Sequence, residues 1–264
     1  MPSRSAVPSL VSLGWDDDWQ AALDALGDPA LVPGRVSRVD RGVCTVMTGT
    51  DEVRVSAAVG IDTAVGDWVA FSPVAVDEAR PRISVVLPRR DVFRRADART
   101  GRVQVAAANI DTVLLCTALD GRLSLRHLER YLAVAREGGA TPVVLITKSD
   151  AVTSDVVEQA LAAVEKVAEG VAVVVVSSTT GAGLENLAPH LAPGRTLALL
   201  GLSGAGKSTL VNLLAGDDIL RTGPVRKDGS GRHTTTHRQL VPLPGGALLI
   251  DTPGMRSLSV VEES

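Results

Sequence analysis

Residues 196–215 read TLALLGLSGAGKSTLVNLLA: an apolar run, a glycine-rich turn and a second apolar segment in direct succession. Within it, Gly201–Ser208 fits G-x-x-x-x-G-K-[S/T]. Glycines at 201, 204 and 206 remove the Cβ atoms that would obstruct a chain curling around an anion. The backbone N–H groups of Gly201, Leu202, Ser203, Gly204, Ala205 and Gly206 can then converge on the α- and β-phosphates of a nucleotide. Lys207 is placed to reach the β- and γ-phosphates and Ser208 to ligate Mg²⁺, and Thr209 completes the expected nucleotide-binding set. An apolar strand before the loop and a helix after it complete the context that such a loop needs. The stretch predicts a strand–loop–helix unit of an α/β nucleotide-binding domain.

The flanks repeat that alternation. DTVLLCTAL (111–119), PVVLITKSD (142–150) and VAVVVVSS (171–178) read as buried strands. LRHLERYLAVAREGG (125–139) and SDVVEQALAAVEKVAEG (154–170), the latter with Ser154 as N-cap, read as amphipathic helices, and LENLAPHL (184–191) as a short one. RQLVPL and ALLIDTPG supply two last strands after the loop. Nearly continuous Val/Leu/Ile strands between helices predict a mostly parallel sheet covered on both faces.

The base is read elsewhere. TKSD (Thr147, Lys148, Ser149, Asp150) ends a buried strand and is similar to the guanine motif N-K-x-D. A carboxylate at Asp150 can accept from guanine N1–H and the exocyclic amine, a donor pair that adenine lacks, while the Lys148 stem packs on the base. Thr147 stands where the motif has Asn. Ser177 and Ser178, in SSTTGAGL, are placed to close on the base. DTPG fits D-x-x-G: Asp251 would hold the Mg²⁺ shell through water, and Gly254 would aim a backbone N–H at the γ-phosphate. Between the glycine loop and DTPG, KDGSGRHTTTHRQL contains the candidate switch threonine, with Thr235 or Thr236 favoured over Thr234 as the Mg²⁺ ligand. His233 and His237 in that segment read as surface residues. All the nucleotide motifs are present, but the guanine motifs precede the phosphate loop. The chain therefore reads as a circularly permuted GTPase domain, because a sheet keeps its sites when its termini are joined and it is opened elsewhere.

The N-terminal third has a different texture. Residues 1–31 read as an extension with a short helix around Asp16–Leu26. After it, RVSRV, VCTVMTG, DEVRVSAAV, VGDWVAFSPV and RISVVLP predict five short antiparallel strands and an OB-type barrel. The expected division is 1–31, 32–104 for the barrel with its Arg-rich connector, and 105–264 for the GTPase domain. The 264 residues are 45% hydrophobic and 22% charged, which excludes wholesale disorder. Aromatics are 2%, so the cores must be built from Val, Leu, Ala and Ile. Net charge is −3, yet residues 80–102 carry eight Arg against two Asp, a local +6, which leaves −9 for the rest. Such a run beside a barrel points to an RNA phosphate backbone, with Arg89, Arg90, Arg94 and Arg95 as the contacts. Cys44 and Cys116 sit in apolar strands without metal spacing and read as buried free thiols. No secretion signal or membrane span is read, so a cytoplasmic monomer is expected.

Taken together, LGWDDDW, PGRVSRVDRG, GDWV, LPRR, AANIDTV, TKSD, GLSGAGKSTLVN, RHTTTHRQL and IDTPGMRS resemble the bacterial ribosome small-subunit-dependent GTPase A (RsgA) family over nearly the whole chain. The resemblance implies an OB barrel followed by a permuted GTPase domain. It also implies GTP hydrolysis stimulated by the small ribosomal subunit, late in that subunit's maturation, with the subunit and its rRNA as partners. The family's Cys/His zinc module has no counterpart here, so zinc is not expected. Met255, directly after DTPG, cannot orient a water through its thioether, so unaided hydrolysis should be slow. The alternative readings are a GTP-gated rRNA-binding module with negligible turnover, and a permuted ATPase, which Asp150 opposes.

Overall fold

Asp16 accepts a hydrogen bond from the Trp19 backbone N–H, and Asp17 and Asp18 occupy the first turn, where the helix dipole favours acids. The resulting helix, α1 (Asp17–Asp24), is shorter than the sequence suggests. The computed structural model describes residues 9–40, 42–57, 60, 62–73, 80–96, 103–121, 123–216 and 239–251.

Five strands follow: β1 (Val32–Asp40), β2 (Val43–Met47), β3 (Glu52–Ser56), β4 (Trp68–Phe71) and β5 (Ile83–Val86). β1 pairs antiparallel with both β2 and β4, β2 with β3, and β4 with β5. A parallel bridge between Ser56 and Arg82 closes the ring. The order β1-β2-β3-β5-β4 is that of the expected OB-type barrel, and Val36, Cys44, Val46, Val55, Val69, Phe71 and Ile83 fill it. Gly34 is required on β1, because a Cβ there would lie 2.3 Å from Val46 Cγ1.

The Arg-rich stretch after Pro88 differs from a plain connector. It forms a hairpin of β6 (Val92–Ala96) and β7 (Val103–Ala108). Arg94 and Arg95 are successive on β6, one exposed and the other half-buried, so no apolar alternation marks the strand and charge density concealed it. Position 104/105, where the expected division falls, lies within β7.

The chain then alternates. β8 (Thr112–Ala118), α2 (Leu125–Glu137), β9 (Thr141–Thr147), α3 (Ser154–Val167), β10 (Ala172–Val175), β11 (Thr196–Gly201), α4 (Lys207–Ala215), β12 (Gln239–Pro242) and β13 (Leu248–Asp251) succeed one another. Thr153 rather than Ser154 is the N-cap of α3, and it makes no side-chain capping bond. The sheet order is β10-β9-β8-β11-β13-β12, parallel except for β12. β8 and β11 are buried along their whole length, as strands sandwiched by helices must be. One antiparallel register pair, Arg38 with Gln239, joins β1 of the barrel to β12, so the two sheets are continuous. Cys44 and Cys116 are buried free thiols, pushed up by desolvation to about 11 and about 12.

Candidate functional site

β11 lies between the parallel strands β8 and β13, and its last residue opens the glycine loop. Gly201 has φ 150°, and a Cβ there would fall 2.3 Å from the Cys116 carbonyl oxygen of β8. Only glycine allows β11 to turn away so close to its neighbour. Gly204 and Gly206 adopt φ 78° and 79°, and Gly206 leads directly into α4. The loop thus delivers its backbone amides to the N-terminal end of a helix, where the dipole is positive. Lys207 Nζ lies 2.7 Å from both the Gly201 and Leu202 carbonyl oxygens, so the ammonium sits within the curl of the loop. Ser203 and Leu202 are half-buried and Ala205 is buried, whereas Ser208 and Thr209 are exposed on the first turn of α4.

The guanine-type residues arrive at the same sheet edge from β9 and β10. Thr147 is buried; its Oγ1 lies 2.9 Å from the Ala205 carbonyl oxygen and 3.2 Å from that of Thr117. The hydroxyl's single proton favours the shorter contact, and Thr147 thereby ties the phosphate loop to the strand that carries the base-reading residues. Lys148 takes a left-handed φ of 60°, uncommon outside glycine, and its Nζ pairs with Asp120 at 2.6 Å. Ser149 begins a short 3-10 turn that contains Asp150. The Ser177 hydroxyl donates to Asp150 Oδ1 at 2.6 Å and accepts from the backbone N–H groups of Thr179 and Thr180. That hydroxyl is the main reason the Asp150 carboxyl is held below the ordinary carboxylate range; Thr179 and Lys148 add to it. Asp150 is therefore an ionised acceptor aimed by Ser177. Ser178 Oγ is buried without a partner among the described residues.

Asp251 ends β13, next to β11, with Ile250 in register with Ala198. Its backbone thus lies at the same sheet edge as the glycine loop; its side chain lies outside the described residues, as do Thr234, Thr235, Thr236, His233, His237, Gly254 and Met255. Sequence reasoning missed Asp120 and Thr117. A lone Asp just after β8 was the available signal for the first; nothing in the sequence marks the second.

The Arg residues divide. Arg89 is turned inward: its Nε and Nη2 each lie 2.7 Å from a different oxygen of Asp67, whose side chain is fully buried. Arg90 pairs with Asp16 at 2.7 Å and Asp18 at 2.9 Å and lies over the Trp19 ring. Both help join LPRR to the rest of the chain: Arg89 is held by the buried Asp67 of the barrel, whereas Arg90 stays exposed while pairing with the N-terminal LGWDDDW segment. Arg94 is exposed and Arg95 half-buried on β6.

This arrangement has close parallels among known proteins. The RsgA GTPase family profile matches residues 86–261. A small ribosomal subunit biogenesis GTPase RsgA from Streptomyces avermitilis is 43% identical, covering 98% of this chain and 71% of the relative. Its namesake from Opitutus terrae is also 43% identical, over 97% of this chain and 75% of the relative. In fold, the chain is similar to the crystal structure of YjeQ from Thermotoga maritima, with TM-score 0.67 and 24% identity, over 87% of this chain and 77% of that one. It is also similar to YloQ, a circularly permuted GTPase, with TM-score 0.64 and 21% identity, over 89% and 75% of the two chains.

Proposed function

The chain belongs to the RsgA GTPase family, and from that premise we propose how its residues divide the work of a GTPase of small-ribosomal-subunit biogenesis. The observation that carries the reading is the convergence at one sheet edge of a phosphate loop from β11 and an Asp150–Ser177 pair from β9 and β10, linked by Thr147.

Asp150 reads the guanine edge and Ser177 aims it. The loop amides and Lys207 hold the phosphates and stabilise the charge that develops on the transferred group. Mg²⁺ fits the donor set: the exposed Ser208 hydroxyl, a carboxylate at Asp251 reached through water, and a hydroxyl at Thr235 or Thr236 are the oxygen ligands a hard cation takes. Bound there, it would neutralise charge on the β- and γ-phosphates. Met255 offers no polar atom to orient the attacking water, so turnover is slow alone and accelerates on the small subunit. Exposed Arg on the hairpin contacts the subunit's rRNA, bound GTP favours docking, and hydrolysis favours release. The protein acts as a monomer in the cytoplasm; no helix among the described residues is long and apolar enough to cross a membrane.

Single-turnover hydrolysis of GTP and ATP, with and without purified small subunits, tests this. GTP should be strongly preferred and subunits should raise its turnover at least tenfold. Equal use of ATP, or indifference to subunits, would overturn the corresponding half of the reading.

A further inference from the structure

Arg35 on β1 is 2% exposed, and burial lowers its guanidinium to about 10, which leaves it charged at neutral pH. A buried charge is costly unless its hydrogen bonds are satisfied, and here four segments satisfy it. Nε donates to the Gly66 carbonyl of the barrel at 3.3 Å, and Nη1 donates to the Leu13 carbonyl of the N-terminal extension. Nη2 donates to the Asn109 carbonyl at 3.0 Å and to Thr196 Oγ1 at 2.7 Å. All four acceptors are neutral. The guanidinium also lies 5.3 Å from the centre of the Trp68 ring.

Thr196 is the first residue of β11, the strand whose last residue opens the phosphate loop. It is held rigidly: its N–H donates to Asp111 Oδ2 at 2.8 Å, its carbonyl accepts from the Asp111 N–H at 2.9 Å, and it is in register with Leu248, the first residue of β13. Asn109 fastens the remaining side. Its carboxamide accepts from the Arg90 N–H and donates to the Gly66 carbonyl, both at 3.0 Å. The barrel is thereby bolted to the foot of the two strands that end at the phosphate loop and at Asp251. A fully buried strand of six residues, about 3.3 Å each, transmits an axial displacement rather than absorbing it. β1 makes a second attachment nearby, Arg38 with Gln239 of β12.

We propose that Arg35 couples the barrel to the phosphate loop: a partner that shifts the barrel moves Thr196, and with it β11, through the contacts centred on this guanidinium. This rests on the reading that the small subunit stimulates turnover, and one measurement does not depend on that reading.

The test uses the full chain with Arg35→Lys, which keeps the charge but not the fork, and Thr196→Val, which keeps the shape and packing but removes one acceptor. Amide exchange of residues 32–40 and 64–67 is followed with and without a non-hydrolysable GTP analogue. GTP turnover and subunit binding are measured alongside. In the wild type, the analogue should slow exchange in these barrel segments, which are remote from the phosphate loop. Both variants should lose that response while GTP affinity changes less than threefold. Subunit-stimulated turnover should drop about tenfold, within the ~5–150-fold span of ordinary allosteric coupling, at unchanged subunit affinity. Absence of the exchange response in the wild type would overturn the coupling. So would full stimulation in a folded Thr196→Val, or a loss of stimulation matched by lost subunit binding. A wild type that responds to the analogue but ignores subunits would overturn the subunit reading and leave Arg35 coupling supported.

Discussion

Asp150 and Thr147 show how much one atom decides. A carboxylate accepts from two guanine donors at once, whereas an amide presents one acceptor and one donor. Asp150→Asn should weaken GTP binding by about two orders of magnitude, because a buried donor on the base is left unpaired. It should improve binding of xanthosine triphosphate, whose N1–H and O2 suit an amide. Competition binding with both nucleotides checks it; equal GTP affinity in variant and wild type would remove Asp150 from the site. Thr147 contacts the phosphate loop itself. Its hydroxyl satisfies the Ala205 carbonyl in a buried setting, so Thr147→Val should loosen the loop and lower GTP affinity roughly tenfold, equivalent to about 1.4 kcal/mol. Titration calorimetry should show that loss without a change in the preference for guanine over adenine. A changed preference would mean that Thr147 touches the base.

At the scale of elements, the segments joining hairpin, barrel and parallel sheet carry strained charge. Asp91, just before β6, accepts from the Ile110 N–H at 2.8 Å, yet burial, with Asp111 adding, raises its carboxyl to about 6. A folded-state value above the unfolded one means that the native protein binds the extra proton between pH ~4 and ~6. This group's contribution therefore favours folding at low pH and is lost as pH rises through about 6. Asp91→Asn keeps an acceptor for Ile110 and removes the charge. It should raise stability at pH 7 by roughly 1–2 kcal/mol, less than the full linkage value because the group is partly hydrated. Urea midpoints from pH 4 to 8 should converge with the wild type at the acid end; a parallel offset at every pH would show that charge is not the cause.

The molecule as a whole sorts its Arg run by tertiary context. Arg94 is exposed on the hairpin, while Arg95, its neighbour along the same strand, is half-buried, its Nε without a partner among the described residues. Successive strand residues face opposite ways, so one of the two can meet a given RNA surface. Arg94→Ala should reduce the slope of log affinity against log salt for small-subunit binding by about 0.7 to 0.9, the value of one phosphate contact. Arg89→Ala should leave that slope alone and instead destabilise the fold by about 3 kcal/mol, because it strands the fully buried Asp67 carboxyl. Sedimentation across a salt series and denaturant melts separate the two. A slope change at Arg89 together with unaltered stability would reverse their assignments.

The local order of residues was enough for the glycine loop, TKSD, the parallel strands around them and the permuted sequence of motifs. Each depends on short-range chemistry: glycine where a Cβ would collide, and unbroken apolar runs where both faces are covered. The closed barrel was legible for the same reason, since its strands alternate and end at turn residues. What the sequence could not decide is which charges find a partner within the chain. Arg89, Arg90, Arg94 and Arg95 are chemically identical and nearly adjacent, and only the folded chain brings Asp67 to the first and Asp16, 74 positions away, to the second. The hairpin was hidden for a related reason, because its side chains record solvent exposure rather than strand pairing. Arg35 is the extreme case: its partners at positions 13, 66, 109 and 196 share no periodicity, and three of them are backbone carbonyls, which every residue possesses and no sequence pattern can announce.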